Sequence, residues 1–190
     1  MTAFITALTV VVLAEMGDKT QLLAMAFAGK YSWKTVMAGV FAATVLNHFL
    51  AVIVGVYLGT SIDAHSIQIA ASVAFIFFGL WTIRGDKLED DTTSDSRHGP
   101  FWTVVITFFL AEMGDKTQFA TITLAAQYPS ILPVLAGSTT GMMIADGIGI
   151  LAGSFVNKKI SQKTMKWIAA LIFIAFGVVG LYNELHGLFV

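Results

Sequence analysis

The chain has no cysteine, so disulfides and thiolate metal sites are excluded. Charge is scarce too. Only 12% of its 190 residues are charged and 56% are hydrophobic, with mean hydropathy +0.78. An ordinary soluble domain carries about 25% charged residues, so that class is excluded. The alternation of a β-strand is also missing, which removes a transmembrane barrel and leaves helices to satisfy backbone groups in lipid. A spanning helix needs roughly 20 mainly apolar residues. Six segments answer to that: Thr2–Ala28, Trp33–Leu58, Ser66–Ile83, Phe101–Gln127, Leu132–Val156 and Met165–Leu185. They use nearly the whole chain. The sequence predicts an all-α membrane protein in contact with the lipid bilayer, with no room for a soluble or nucleic-acid-binding domain.

Basic residues are absent from one set of connections. Nine Lys/Arg stand outside a repeated motif described below: Lys30, Lys34, Arg84, Lys87, Arg97, Lys158, Lys159, Lys163 and Lys166. All nine fall in, or at the edge of, the loops after segments one, three and five. The positive-inside rule puts those loops in the cytoplasm and both termini outside. The start of the chain lacks the basic region and small-residue cleavage site of a signal peptide, so the first segment is expected to be retained.

What the sequence does have is a repeat. "LAEMGDKTQ" spans Leu13 to Gln21 and returns unchanged from Leu110 to Gln118. Glu15 maps onto Glu112 at an offset of 97, and after one extra residue Gly55 meets Gly153 and Phe77–Gly79 meets Ala175–Gly177. The chain therefore divides into a first three-helix repeat (1–84), a polar cytoplasmic linker (85–99) and a second three-helix repeat (100–190). Three is odd, so the second repeat should enter the membrane from the opposite side. Inverted repeats of this kind build many secondary transporters, whose sites lie near the midplane where the halves meet.

Each motif puts a glutamate, an aspartate and a lysine in the middle of an apolar segment. On a continuous helix Glu15 and Asp18 share a face, as do Glu112 and Asp115. An ionised side chain at the bilayer centre costs about 2.5–3.5 kcal/mol on insertion scales. Four carboxylates brought together should therefore take up protons or a cation. Hard oxygen ligands suit Mg, Ca or Mn, and Thr20, Thr117, Gln21, Gln118 and loosened backbone at Gly17 and Gly114 can complete a shell. Four carboxylates less Lys19 and Lys116 leave two negative charges, which one divalent ion or two protons balance. A blander reading also exists: Glu15 and Lys19, four residues apart in the favourable order, form an internal ion pair in each copy. That leaves Asp18 and Asp115 unpaired, so the ion site is preferred. The lysines are either charge-compensating partners or stand-ins for the cation.

E-M-G-D-K-T twice, in a six-helix chain with an acidic central loop, resembles the E-x-G-D-[KR]-[TS] signature of the Gdt family, also called uncharacterised protein family sixteen. The resemblance covers the whole chain. It implies a secondary transporter of manganese or calcium, with Glu15, Asp18, Glu112 and Asp115 as the metal-binding residues, the ion bound as substrate and no cofactor. The chain lacks the N-terminal extension of eukaryotic members, which suits a bacterial inner-membrane protein.

Other residues carry weaker signals. His48 pairs across the repeat with Asp146, as packing residue or as proton carrier. Met16 and Met113 offer a soft thioether or simple packing. The linker acids Asp86, Glu89, Asp90, Asp91 and Asp95, with His98, read as a solvated connection or a cation sensor. Gly39, Ala43, Gly55, Gly137, Gly141 and Gly153 allow close helix packing. An intramembrane aspartyl protease would need one shared-proton dyad, not two identical Glu/Asp pairs with lysines. A metal-dependent intramembrane enzyme would need a headgroup pocket, and a channel would lack proton coupling. The sequence thus reads as a non-enzymatic exporter of Mn²⁺ in exchange for H⁺, with Ca²⁺/H⁺ antiport as the alternative, and leaves the oligomeric state open.

Overall fold

A computed structural model describes residues 1–84, 99–152 and 162–187. These form eight helices and no strand: α1 (Thr2–Glu15), α2 (Lys19–Lys30), α3 (Trp33–Ser61), α4 (Ala64–Arg84), α5 (Gly99–Glu112), α6 (Lys116–Gln127), α7 (Ile131–Ala152) and α8 (Gln162–Gly187). Two short helices followed by two long ones occur twice in succession. Stretches of α3, α4, α7 and α8 are long and apolar enough to cross a membrane, while α1 and α5 are apolar but shorter. Large hydrophobic side chains such as Tyr57, Leu132 and Leu151 are turned outward, as expected where the solvent is lipid.

The expected first and fourth segments are each two helices, not one. The reason is local. Met16 has φ −58° and ψ 114°, and Gly17 has φ 78°, the geometry of a type II turn. The turn is closed by the Asp18 N–H donating to the Glu15 carbonyl at 3.0 Å. Gly114 also has φ 78°, and the Asp115 N–H donates to the Glu112 carbonyl at 3.2 Å. A positive φ at this position is the province of glycine. Helices α3 and α4 start where a side chain satisfies an open N–H. Ser32 accepts from Thr35 at 3.2 Å ahead of α3, and Asp63 accepts from Ser66 at 2.9 Å ahead of α4. The cap at Asp63 starts α4 two residues ahead of the apolar segment, whereas α3 begins at Trp33 as expected and is longer only at its far end, Ser61.

Packing repeats across the halves. Helix α1 lies on α7, and its counterpart α5 lies on α3; α2 meets α7 as α6 meets α3; α4 pairs with α8. The glycines show the reciprocity residue by residue. Gly39 of α3 lies against Val104 and the Phe101 carbonyl of α5, and Gly137 of α7 lies against Ala7 and the Phe4 carbonyl of α1. Gly79 of α4 faces Ala170 and Ile174 of α8, while Gly177 of α8 faces Ser72 and Ile76 of α4. Each contact maps onto its partner at the sequence offset of the repeat. Gly55 and Gly141 also sit against neighbouring backbone and Ala43 is buried, as close packing requires. Two apolar clusters fill the interior. One joins Val10, Val52, Phe75, Leu124, Val134 and Phe173; the other joins Leu23, Phe27, Val40, Val104 and Phe108. The linker acids, His98, Gly153, Lys87, Arg97, Lys158 and Lys159 lie outside the described residues.

Candidate functional site

The two turns place the motif residues. Ending α1 at Glu15 and starting α2 after Asp18 puts a helix C-terminus and a helix N-terminus back to back inside an apolar interior. The same holds between α5 and α6. A C-terminus favours a cation and an N-terminus favours an anion, so each break suits a carboxylate that shares a metal ion. The breaks also release backbone oxygen. The Gly17 N–H, which a continuous helix would direct at the Leu13 carbonyl, donates instead to Gln21 Oε1 at 3.0 Å. The Asp18 N–H goes to Glu15 rather than to Ala14. Leu13 and Ala14 thereby lose their helical donors, and Leu110 and Ala111 lose theirs in the same way, with Gly114 donating to Gln118 Oε1 at 2.7 Å.

Glu15 and Glu112 are fully buried, at 0% and 1% exposure. Each receives one hydroxyl from its own motif: Thr20 donates to Glu15 Oε1, and Thr117 donates to Glu112 Oε2 at 2.6 Å. The second oxygen of each, Glu15 Oε2 and Glu112 Oε1, has no hydrogen-bond partner among the described residues. Buried polar atoms nearly always find a partner, so two orphaned carboxylate oxygens at equivalent positions mark a place for a ligand or a proton.

The lysines do not form the ion pair inside each copy that the blander reading offered. Lys116 Nζ contacts Asp18 Oδ2, and Lys19 Nζ lies 3.9 Å from Asp115 Oδ2. Both pairs cross between the halves. The i, i+4 geometry with glutamate is not used because the turn ends the helix between the two residues. Nor do Glu15 and Asp18 share a helical face; the turn, not helical spacing, brings them near each other. The crossed pairs are unequal. The Lys116 side chain is 4% exposed and that of Lys19 is 26% exposed.

Gln21 and Gln118 stitch each break to the opposite half. Gln21 Nε2 donates to the Ala145 carbonyl of α7 at 2.8 Å, and Gln118 Nε2 donates to Asn47 Oδ1 of α3. Ala145 and Asn47 are equivalent positions of the repeat. Asn47 in turn donates from Nδ2 to the Phe109 carbonyl of α5 at 3.4 Å. Sequence reasoning passed over Asn47, although a lone asparagine in an apolar helix was its available signal.

Asp146 is 0% exposed, and neither of its oxygens has a hydrogen-bond partner among the described residues. It interacts electrostatically with Glu15, Glu112 and Asp18. Five buried carboxylates therefore face two ammonium groups, not the four expected. His48, the equivalent of Asp146, is also buried without a hydrogen-bond partner among the described residues, but stands outside these electrostatic contacts. Met113 points outward at 51% exposure, which removes it from the cluster, and Met16 is half-buried. Among the described residues no three Asp, Glu or His side chains stand within ligating reach of one another in this conformation. The arrangement is an electrostatic cluster that an entering cation would have to draw together.

The model of the family described as divalent cation/proton antiporter GDT1 matches residues 3–90 and residues 100–188, one stretch for each half. The chain belongs to the GDT1 family. The family is one of divalent cation/proton antiporters, transporters rather than enzymes. A Vibrio cholerae protein provisionally named a manganese exporter is 36% identical over 176 residues, covering 92% of this chain and 88% of that protein. A GDT1-like protein of Synechocystis is 32% identical over 206 residues, covering 97% of this chain and 99% of its own. The chloroplastic protein PAM71 of Arabidopsis thaliana is 28% identical over 209 residues, with 93% of this chain and 55% of that protein covered. No solved structure matches. GDT1 membership and the apolar helices together make the chain a membrane-embedded antiporter.

Proposed function

We propose that this antiporter exports Mn²⁺ across a bacterial inner membrane in exchange for H⁺, by alternating access between two inverted three-helix repeats. In this reading α1 with α2, and α5 with α6, each form one broken span, and the four long helices complete six. Both termini lie outside and the linker lies in the cytoplasm, as the placement of basic residues favours. Glu15, Asp18, Glu112 and Asp115 bind the ion, helped by Thr20, Thr117 and carbonyls released at the breaks. The observation that carries the proposal is the matched pair of breaks, each leaving one glutamate oxygen buried and unpartnered. Broken helices flanking a midplane ion site are the transporter's version of a helix-terminus ion site.

Protons from outside neutralise the carboxylates and release the ion; the deprotonated cluster then takes up Mn²⁺ from the cytoplasm. The manganese choice rests on the resemblance to the Vibrio cholerae protein and on hard oxygen donors, which accept manganese readily. The test is flux into sealed vesicles containing only this protein, under an imposed pH gradient, with Mn²⁺, Ca²⁺ and Mg²⁺ offered separately. The proposal expects Mn²⁺ movement that reverses with the gradient. Faster Ca²⁺ flux would reassign the substrate, and flux indifferent to the gradient would refute exchange.

A further inference from the structure

We infer that Lys116 is a tethered counter-cation, whose ammonium occupies Asp18 when the site is empty and which the transported ion must displace. The inference rests on the transport reading above and gives the lysine a role in it. A lysine beside Glu112 in sequence would most simply neutralise that glutamate one turn away. Its Nζ instead contacts Asp18 of the other half, with both side chains almost completely buried. Lys116 also acts electrostatically on Asp115 and Glu15, so one ammonium serves three of the four carboxylates proposed to bind the ion. An ammonium is a compact point charge on a flexible four-carbon stem, the protein's nearest equivalent to a small cation. An unpaired buried carboxylate is strongly destabilising. A carrier that has exchanged its ion for protons therefore still needs a counter-charge on any carboxylate left ionised before it can reorient, and Asp18 is the one Lys116 contacts. Lys116 is placed to be that counter-charge. Lys19 holds the symmetric position loosely, at 3.9 Å and partly exposed, so the two lysines are not doing the same thing in this conformation.

Competition between ammonium and ion gives a prediction of opposite signs. Lys116→Gln removes the competitor, and purified protein should bind Mn²⁺ about tenfold more tightly at fixed pH. Lys116→Arg strengthens it, because a guanidinium grips a carboxylate bidentately, and binding should weaken about tenfold. Flux should separate as well. In vesicles, Lys116→Gln should lose net proton-driven Mn²⁺ movement, which requires return without the metal. Isotope exchange of Mn²⁺ for Mn²⁺, which needs no return without the metal, should be slowed by the tighter binding but lost less than net flux. A purely structural lysine predicts weaker binding in both variants and equal loss of net flux and exchange; either result would overturn the inference. Should the Gln variant not fold, unchanged or tighter Mn²⁺ binding by the Arg variant overturns the inference, as does an equal loss of net flux and exchange in that variant. Wild-type protein without proton-coupled Mn²⁺ flux would overturn the transport reading, and this inference with it. Wild-type flux with both variants unchanged would overturn this inference only.

Discussion

Glu15 and Glu112 each keep one buried oxygen without a partner, and that asymmetry within a single carboxyl group says most about what the residue is for. The threonine five residues on holds one oxygen in place, and in the proposed function the other takes an ion or a proton. Neutral substitutes keep the shape and remove the charge. Glu15→Gln and Asp115→Asn should therefore abolish Mn²⁺ flux in vesicles while the protein still folds, since a buried charge is costly to keep. Stability in detergent should hold or rise. Near-normal flux in both variants would remove these residues from the ion site. The carboxylates were legible because charge inside an apolar segment stands out in any composition. Asp146 was legible as a candidate, but its tie to the cluster was not, since nothing in sequence shows that α7 lies against α1. Asn47 was harder still, because a neutral amide leaves no charge signature.

The broken helix is the element on which the site depends. Its glycine was readable in the motif, but a glycine inside an apolar run is equally at home in continuous helix, and only the positive φ at Gly17 and Gly114 settles the matter. The consequence reaches the ion pairs. Periodicity assumes an unbroken helix, so it pairs Glu15 with Lys19, whereas the turn sends Lys19 and Lys116 across to the other half. The glutamine stitches give a test at this scale. Gln118→Ala loses both the Gly114 cap and the link to α3, and should cost about 1–3 kcal/mol of stability. Asn47→Ala keeps the cap but loses the bonds with Gln118 and with the Phe109 carbonyl, and should likewise cost about 1–3 kcal/mol. Gln21 ends on a backbone carbonyl, so α7 has no side chain whose loss would mimic Gln21→Ala. Thermal unfolding in one detergent measures both, and an Asn47 or Gln118 variant as stable as the wild type would contradict the stitch between α6 and α3.

At the scale of the molecule, two halves exchange equivalent contacts: α1 on α7 against α5 on α3, and Gly79 on α8 against Gly177 on α4. The duplication was visible from nine identical residues, and the odd number of apolar segments per half is what implies inversion. Handedness and helix pairing were not visible, because they depend on which small residues meet which backbone. A reporter fused after Val190 should be active outside the cytoplasm, and one inserted near Thr93 should be active inside; the reverse would overturn the orientation and with it the direction of export. The central claim is that metal and protons compete for one set of buried carboxylates. Metal binding to protonated ligands releases protons. Purified protein in weakly buffered detergent solution, titrated with Mn²⁺ near pH 6, should acidify the medium, and Glu15→Gln should release less or nothing. Saturable Mn²⁺ binding with no proton release would contradict exchange at these residues.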